Sequence, residues 1–462
     1  MSLDKKRDKK SLNVSVSRRK MLRIMGAGAG AAALAACAAP PAAAPAAKAP
    51  AAAASPTDAP AAAASTGKKV VWWDIQNTDP NKTIFDSIVA DFNKINPEVQ
   101  IDRQLLVNDP FKTKLAAAMQ AGTPPDLFQS WGGGVLKAYV DAGLMQDIGD
   151  KLKEGGWGES FRKAALDVYT FDGKTYGVPW NFGMVGFWYN KALFSKAGVD
   201  VPKTWSEFLL VVKKIKSAGI TPIALGNKDK WPGHFWWSYL NIRIGGKAAF
   251  DAAFTRAGTF ADPPFVEAGV KLKELIDLQP FPKGFETLDF DQHSALMGNA
   301  EAAMELMGQW GPGNAKGKSK EGKGIGDDLS SFGFPAVEGG KGDPSDVLGG
   351  CDAIAVSKNA PAGAIDFLKF FTNVENQKKI NAGGASISPV SGTEDAVKDS
   401  LMQQVAKNAG AAKYFQVYYD QYLPPATGEA VKDTTQALFL GQMSPEDVAK
   451  GVEAVAATEL KK

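Results

Sequence analysis

The sequence predicts an α/β fold in two lobes, preceded by an export signal and a tether. A chain of 462 residues is too long for one simple domain and fits two lobes plus appendages. From residue 68 onward, strand-like and helix-like segments alternate, which implies parallel strands joined by right-handed crossovers. Hydrophobic residues make up 45% of the chain and charged residues 22%, so there is ample material for a globular core.

Residues 1–36 form the predicted export signal. Ser17-Arg18-Arg19-Lys20-Met21-Leu22 resembles the twin-arginine export motif, with Met21 where phenylalanine is more usual. The apolar run Met21–Ala36 is too short and too rich in small residues to span a bilayer. Leu34-Ala35-Ala36-Cys37 resembles a bacterial lipobox, so cleavage would leave Cys37 at the new N-terminus carrying lipid. We therefore expect a twin-arginine-type lipoprotein signal peptide.

Residues 37–67 are expected to be a lipidated cysteine followed by a tether. This segment is almost entirely alanine and proline, and it cannot bury enough apolar surface to fold. No other apolar run reaches 18 residues, so membrane association depends on the lipid alone. The tether would hold the globular body at the outer face of the cytoplasmic membrane.

The net charge of +3 is misleading, because the signal carries most of the excess positive charge. Residues 1–36 hold nine Lys/Arg and two Asp/Glu, and removing them from totals of 53 and 50 leaves 44 basic and 48 acidic residues. A mature chain near −4 has no electrostatic footprint for nucleic acid.

The first strands of the body point to a ligand site. Strands are predicted at Lys69–Asp74, Val99–Leu106 and Asp126–Gln129, with helices between them. In such sheets ligands bind beyond the carboxyl ends of the strands. Those ends carry Asn77 after the first strand and Ser130-Trp131-Gly132 after the third, which places Trp131 on a flexible loop where a ligand contact is expected.

The remaining elements follow from apolar periodicity and from glycine, proline and capping signals. We expect a strand at Gly349–Val356 and a mobile Gly/Lys-rich loop at Gly311–Asp328. Helices are predicted at Trp205–Ala218, Phe265–Leu278, Ser294–Leu306 and near 396–409, 427–440 and 445–458.

The stretch Trp231–Tyr239 holds five aromatic residues and one of the chain's two histidines in nine positions. It is either a core helix opened by Pro232 and Gly233 or a platform whose flat rings stack on the C–H faces of a pyranose. On a helix starting at Pro232, the rings point in different directions, so some must pack in the core while others meet a cleft. Trp231 and His234, at the start of the helix, are the better ligand candidates, followed by Trp236.

Several segments, in this order, resemble the bacterial extracellular solute-binding proteins of carbohydrate ABC importers, the group that includes maltose- and xylobiose-type binders. The segments are Asp91-Phe92-Asn93, Pro125-Asp126-Leu127-Phe128, Gly177-Val178-Pro179, Trp188-Tyr189-Asn190-Lys191, Pro202–Phe208, Glu301-Ala302-Ala303-Met304, Gly308-Gln309-Trp310 and Ala355-Val356-Ser357-Lys358. Each motif alone is weak, but their order across residues 68–460 behind a lipobox is specific.

The resemblance implies a two-lobed periplasmic-binding-protein fold of the class II type, which closes over a sugar. It implies that the chain crosses between lobes near Pro179–Gly183, Gly349–Asp352 and Pro389–Asp395. The N-terminal lobe is then expected at 68–180 and 352–395, and the C-terminal lobe at 181–351 and 396–462. Glycine absorbs large backbone changes, so Gly349-Gly350 fits a hinge.

Sugar recognition needs rings for stacking and fixed polar groups for hydroxyls. The resemblance makes Trp310 the best stacking candidate, since the family's tryptophan at this motif lies in the cleft; Trp131 and Trp180 follow, with core packing a live alternative for Trp180. The polar candidates, each of which could equally be a turn or cap residue, are Asn77, Gln129, Ser130, Asn181 and Asp352.

Other chemistries find weaker support. Asp289-x-Asp291-x-His293 would present three metal ligands if extended, but a role of Asp291 or Ser294 as a helix cap explains the pattern better, and no fourth ligand is apparent. The chain contains no recognisable hydrolase or Walker motif. Cys351 is interpreted as a small buried hydrophobe. We expect no cofactor, no metal and no enzymatic activity.

The favoured function is a lipid-anchored receptor that captures a neutral oligosaccharide, preferably a β-linked disaccharide, and docks as a monomer on the permease of an ABC importer. Two other classes stay open. One is a secreted glycan-active enzyme on a similar tether, and the other is a binder of a non-sugar solute such as a polyamine or an anion.

Overall fold

The computed structural model describes residues 68–460. The predicted signal, Cys37 and the tether therefore lie outside the described residues. Within the described range, no helix is both long enough and apolar enough to cross a membrane. The described chain contains two main β-sheets with helices packed around them.

Twelve strands occur in the described chain. They are β1 (Lys68–Asp74), β2 (Val99–Leu105), β3 (Leu127–Ser130), β4 (Thr170–Phe171), β5 (Lys174–Thr175), β6 (Gly177–Met184), β7 (Gly186–Asn190), β8 (Thr221–Ile223), β9 (Ala302–Met307), β10 (Leu329–Phe332), β11 (Val347–Val356) and β12 (Phe415–Val417).

The helices connect and flank these strands. They are α1 (Asn81–Ile95), α2 (Asn108–Gln120), α3 (Gly133–Asp141), α4 (Gly149–Lys153), α5 (Lys163–Asp167), α6 (Lys191–Ala197), α7 (Trp205–Ser217), α8 (Trp231–Phe254), α9 (Pro263–Ile276), α10 (Phe290–Gly298), α11 (Gly311–Lys318), α12 (Ala362–Phe371), α13 (Val374–Ala382), α14 (Ser400–Ala411), α15 (Tyr419–Tyr422), α16 (Pro425–Phe439) and α17 (Pro445–Glu459). Short 3₁₀ turns occur at Glu154–Ser160, Gly326–Asp328 and Glu394–Ala396.

The first sheet has the strand order β12-β11-β3-β1-β2, and β6 also pairs with β11. The predicted parallel pairing of the first three strands is confirmed, because β1 runs parallel to both β2 and β3. Their carboxyl ends therefore meet at one edge of the sheet. The second sheet has the order β10-β7-β9-β8 and is mostly antiparallel, with β8 parallel to β9.

Two long antiparallel strands, β6 and β11, pair from Gly177 to Met184 and lead from the first sheet toward the second. They coincide with two of the predicted crossings, and a register shift between Asp352 and Ala353 interrupts their ladder. Gly349 and Gly350 lie in the extended part of β11, where side chains would collide with the rings of Phe415 and Tyr418. Close packing of these rings therefore accounts for the two glycines. The predicted lobe boundaries themselves stay a prediction.

Most of the apolar core lies in two clusters, one around the first sheet and a larger one extending around the second, and a third, small cluster includes Ala315. Trp180 belongs to the first cluster and packs edge-on against Phe85, with 4.9 Å between ring centroids. Trp236 belongs to the larger cluster and packs edge-on against Phe187, with 5.5 Å between ring centroids. The aromatic stretch of α8 is buried throughout, so its core interpretation accounts for most of its rings.

Three sequence predictions are wrong in the region around the second sheet. A single helix over Ser294–Leu306 is replaced by α10, which ends at Gly298, and by the buried strand β9. Ala300 has a positive φ and turns the chain between them. The expected loop Gly311–Asp328 begins with the helix α11. Asp289, rather than Asp291 or Ser294, caps α10 through a capping box with Gln292.

Candidate functional site

A cavity of about 310 Å³ lies between the carboxyl ends of β1 and β3 and the first residues of helices α8, α10 and α11. It lies at the strand ends, where α/β folds commonly bind ligands. Residues from both sheets' connections contribute to the wall. They include Gln76, Asn77, Thr78, Asn81, Asp109, Lys112, Trp131, Asn181, Asp229, Trp231, Phe235, Phe290, Trp310, Gly313, Asn314, Asp352, Ala385, Ser386, Tyr418, Asp420 and Gln421.

Three tryptophans from three separate segments line this one cavity. Trp131, on the loop after β3, is half-buried and stands edge-on to Phe111 at 6.1 Å. Trp231 begins α8 and rests against Phe290 at 4.9 Å. Trp310 precedes α11 and stands edge-on to Tyr418 at 6.0 Å.

The Trp310 indole folds back over Gly308, where any side chain would collide with the ring. The glycine in the Gly308-Gln309-Trp310 motif is thus needed for the orientation of the tryptophan. Neighbouring rings pack against all three indoles. Trp131 and Trp310 stay half-buried and offer a surface for stacking, whereas Trp231 is buried, with 7% of its surface exposed.

The ammonium group of Lys112 lies near two of these indoles. Its Nζ is 5.2 Å from the Trp131 ring centroid and 5.8 Å from that of Trp231, within the range of cation–π attraction. Asp109 lies one turn earlier on α2, and its Oδ1 is 3.6 Å from Lys112 Nζ. The amphipathic lysine therefore contributes a polar donor beside two apolar faces.

Asp352, a half-buried carboxylate in the cavity wall, forms the centre of a polar network. Gln129 Nε2 donates to Asp352 Oδ1 at 2.8 Å, and Asn181 Nδ2 donates to Oδ2 at 2.7 Å. The amide oxygen of Asn181 accepts from the backbone N–H of Ile387 at 2.9 Å. Burial raises the pKa of Asp352 to about 6, although the hydrogen bonds from Asn181 and Gln129 oppose that rise. The network links β3, β6 and β11 to the segment after α13.

Asp420, on the short helix α15, forms a second fixed carboxylate in the cavity wall. His234 Nε2 lies 3.1 Å from Asp420 Oδ1, close enough for an ion pair but poorly aligned for a hydrogen bond. Burial tends to raise the pKa of Asp420, but the charge of His234 and its contact outweigh burial and hold that pKa well below its usual range. His234 is fully buried behind this carboxylate and is absent from the cavity wall.

Several other carboxylates at the cavity belong to the first turns of helices. Asp79 accepts from the backbone N–H and hydroxyl of Thr83 at the start of α1, and Asp289 caps α10. Such positions are favourable for acids, since helix N-termini carry partial positive charge. Burial, followed by the negative charge of Asp109, raises the pKa of Asp229. Asp79 and Asp289 therefore stabilise the starts of α1 and α10.

The structure brings together six of the eleven residues predicted to bind a ligand. These are Asn77, Trp131, Asn181, Trp231, Trp310 and Asp352. Asn77 is exposed at the rim, where its amide donates to the backbone oxygen of Leu106 at 3.4 Å.

The other five lie behind the wall or in the core. Gln129 and His234 support Asp352 and Asp420 from behind. The hydroxyl of Ser130 accepts from the backbone N–H of Gly132 at 3.1 Å and shapes the turn before Trp131's loop enters α3. Trp180 and Trp236 are core residues, because strand β6 and helix α8 turn their rings toward the apolar clusters.

Several wall residues were not predicted from the sequence, above all Tyr418, Asp420, Gln421, Phe290 and Asn314. The segment Tyr414–Tyr422 holds four tyrosines in nine positions, and this density could have indicated an aromatic binding surface.

Within residues 68–460, no cluster of three His, Cys, Asp or Glu side chains is arranged to hold a metal ion.

The fold and the cavity together define a two-lobed α/β binding protein. The chain belongs to the family of bacterial extracellular solute-binding proteins, whose family model matches residues 76–378.

Two relatives extend this comparison. The chain is 27% identical to the diacetylchitobiose binding protein DasA of Streptomyces coelicolor, over 84% of this chain and 88% of that protein. It is 29% identical to an uncharacterized ABC transporter extracellular-binding protein of Pyrococcus horikoshii, over 54% of this chain and 56% of that protein's length.

Solved structures give the same fold. A structure from work on xylan utilization by Caldanaerobius polysaccharolyticus superposes with a TM-score of 0.78 at 29% identity, covering 84% of this chain and 100% of that chain. A chitin oligosaccharide binding protein superposes with a TM-score of 0.78 at 26% identity, covering 85% and 99%. The expected fold class and family are thereby confirmed.

Proposed function

We propose that this protein is the extracytoplasmic receptor of a carbohydrate ABC importer and binds a neutral β-linked disaccharide or short oligosaccharide. The convergence of Trp131, Trp231 and Trp310 on one cavity carries the proposal. More than one indole implies more than one stacked sugar ring. The names of a diacetylchitobiose binder and a chitin oligosaccharide binder among its relatives support the same ligand class.

The polar groups of the cavity would select hydroxyls. Asn77, Asn181 and Asp352 are proposed to contact the sugar directly, together with Asp420, while Gln129 and His234 hold the two carboxylates in place. A buried polar group left without its hydroxyl partner costs about 1–3 kcal/mol, which gives the site its discrimination. Stacking then supplies affinity and the fixed carboxylates supply specificity.

The same proposal includes lipid anchoring through Cys37, twin-arginine export, monomeric docking on the permease and the absence of turnover. The twin-arginine motif, the lipobox and the Ala/Pro segment support the location. Family membership supports a binding role, since this family consists of solute-binding proteins.

Calorimetry with a panel of sugars tests the ligand class. We expect xylobiose, cellobiose or N,N′-diacetylchitobiose to bind with micromolar or tighter Kd, and maltose, as an α-linked control, to bind at least tenfold more weakly. A preference for maltose would contradict the β-linkage proposal. Heat only from a polyamine or an anion would favour the non-sugar alternative.

Chromatography of the same mixtures separates a receptor from an enzyme. The proposal predicts that each oligosaccharide is recovered intact after prolonged incubation with the purified protein. Accumulation of monosaccharide products in proportion to protein concentration would instead identify a glycan-active enzyme.

A further inference from the structure

Helix α11 contains three glycines among its eight residues, at positions 311, 313 and 317. Glycine within a helix costs roughly 0.5–1 kcal/mol relative to alanine, so such a composition weakens the helix. A close approach that leaves no room for a side chain would explain why glycine occupies these positions.

Gly313 and Gly317 are four residues apart and therefore share one face of α11. That face meets the loop after β1, which holds Thr78, and the segment after α13, which holds Ala385. A methyl group added at Gly317 would lie 2.6 Å from Cγ2 of Thr78, closer than van der Waals contact allows. A methyl group at Gly313 would lie 3.5 Å from Cβ of Ala385, an ordinary contact distance.

The opposite side of α11 is tied to the second sheet. Ala315 is buried in a small apolar cluster with Met297 of α10 and Ala302 of β9. Lys318 Nζ also lies 2.6 Å from Asp291 Oδ2 at the start of α10. The helix therefore belongs with the second sheet, whereas Thr78 lies in the loop between β1 of the first sheet and α1.

Thr78, Gly313 and Ala385 also line the cavity. The contact of α11 with Thr78 and Ala385 therefore joins the two sides of the cavity. Gly317 is exposed and absent from the cavity wall. A substitution there changes the approach of the two sides without removing a wall residue.

We propose that the Gly313–Gly317 face of α11 is the surface on which the two lobes close, and that Gly317 is a positioning residue for sugar capture. The inference rests on the proposed sugar-binding function. A side chain at position 317 would hold Thr78 and its loop away from α11. Trp310 and Asn314, which adjoin or belong to the same helix, would then stay too far from the groups on the opposite wall to contact one sugar together.

The test compares Gly317→Ala and Gly317→Leu with matched substitutions of Gly410, an exposed helical glycine of α14 that has open space around its Cα. Calorimetry gives Kd for the tightest sugar of the panel, and thermal unfolding gives Tm without sugar. We expect Gly317→Leu to weaken binding at least tenfold and Gly317→Ala to weaken it by a smaller factor. Both Gly410 variants should bind as the unmodified protein does.

The Tm without sugar should be equal to or above that of the unmodified protein for Gly317→Ala, because alanine favours the helix. Thr78→Ser removes the methyl group at Cγ2 and keeps the hydroxyl, so the double variant Thr78→Ser/Gly317→Ala should recover the affinity of Thr78→Ser alone. Recovery would be difficult to explain by a general loss of folding.

Unchanged affinity in Gly317→Leu, or no recovery in the double variant, would overturn the inference. Failure of the unmodified protein to bind any sugar would instead overturn the proposed function, so the two failures are distinguishable. A loss of affinity that accompanies an equal loss of Tm in both Gly317 and Gly410 variants would also count against a closing surface.

Discussion

Replacement of Trp310 by alanine is expected to weaken oligosaccharide binding by roughly 30- to 100-fold, which corresponds to about 2–3 kcal/mol for a buried aromatic anchor. The indole is half-buried against Tyr418 and over Gly308, so its truncation removes a stacking surface while leaving the main core clusters intact. Calorimetry with the tightest sugar of the panel measures the effect.

Trp157→Ala is the matched control for this substitution. Trp157 is also half-buried, but it packs against Phe161 at the apolar cluster around the first sheet and is absent from the cavity wall. We expect this control to lose some stability and no affinity. Equal affinity in Trp310→Ala and the unmodified protein would show that Trp310 does not stack on the ligand.

Asp352 should make the protein less stable as pH rises from about 4 to 7. Its folded pKa of about 6 lies above the ordinary aspartate value near 3.9. A raised folded pKa contributes stability that is complete below the unfolded pKa and is lost as pH rises through the folded pKa. The loss should approach about 2–3 kcal/mol, since each pKa unit corresponds to about 1.4 kcal/mol.

Denaturant unfolding at several pH values tests this prediction by comparing the unmodified protein with Asp352→Asn. The variant should lack this part of the pH dependence. Between pH 4 and 7 the unmodified protein should therefore lose more free energy of unfolding than Asp352→Asn does. Asp200→Asn, at an exposed position, is the control and should follow the unmodified protein. Parallel curves for Asp352→Asn and the unmodified protein would contradict the raised pKa.

The part of the site that follows from strand direction could be predicted from the sequence. Trp131 directly follows β3, and Asn77 lies in the loop after β1; the carboxyl ends of such parallel strands share one edge. Trp310 follows from its motif. These residues need only the order of elements, which local patterns supply.

The orientation of buried rings could not be predicted in the same way. Trp180 and Asn181 are neighbours on β6, but only Asn181 reaches the cavity, because successive strand residues point to opposite sides. The whole N-terminal part of α8 is buried. Apolar periodicity therefore does not show that Trp231 lines the cavity while Trp236 packs in the core. Which face meets the cavity depends on partners that are distant in sequence.

Distance along the chain also explains the missed residues. Asp420 pairs with His234, which is 186 positions earlier, and only the folded chain shows that the histidine supports a cavity carboxylate. Helix α11 was not predicted because its glycines are typical of loops. The residues next to these glycines, Thr78 and Ala385, are distant in sequence and lie across the cavity. Both errors arise from tertiary contacts that override local preference.

A crystal structure with the tightest sugar of the panel would show directly whether the three indoles bind the ligand. We expect sugar rings stacked on at least two of Trp131, Trp231 and Trp310, with hydroxyls within hydrogen-bond distance of Asp352 or Asp420. A sugar bound outside this cavity, or inside it without contact to these indoles, would show that the proposed site is wrong.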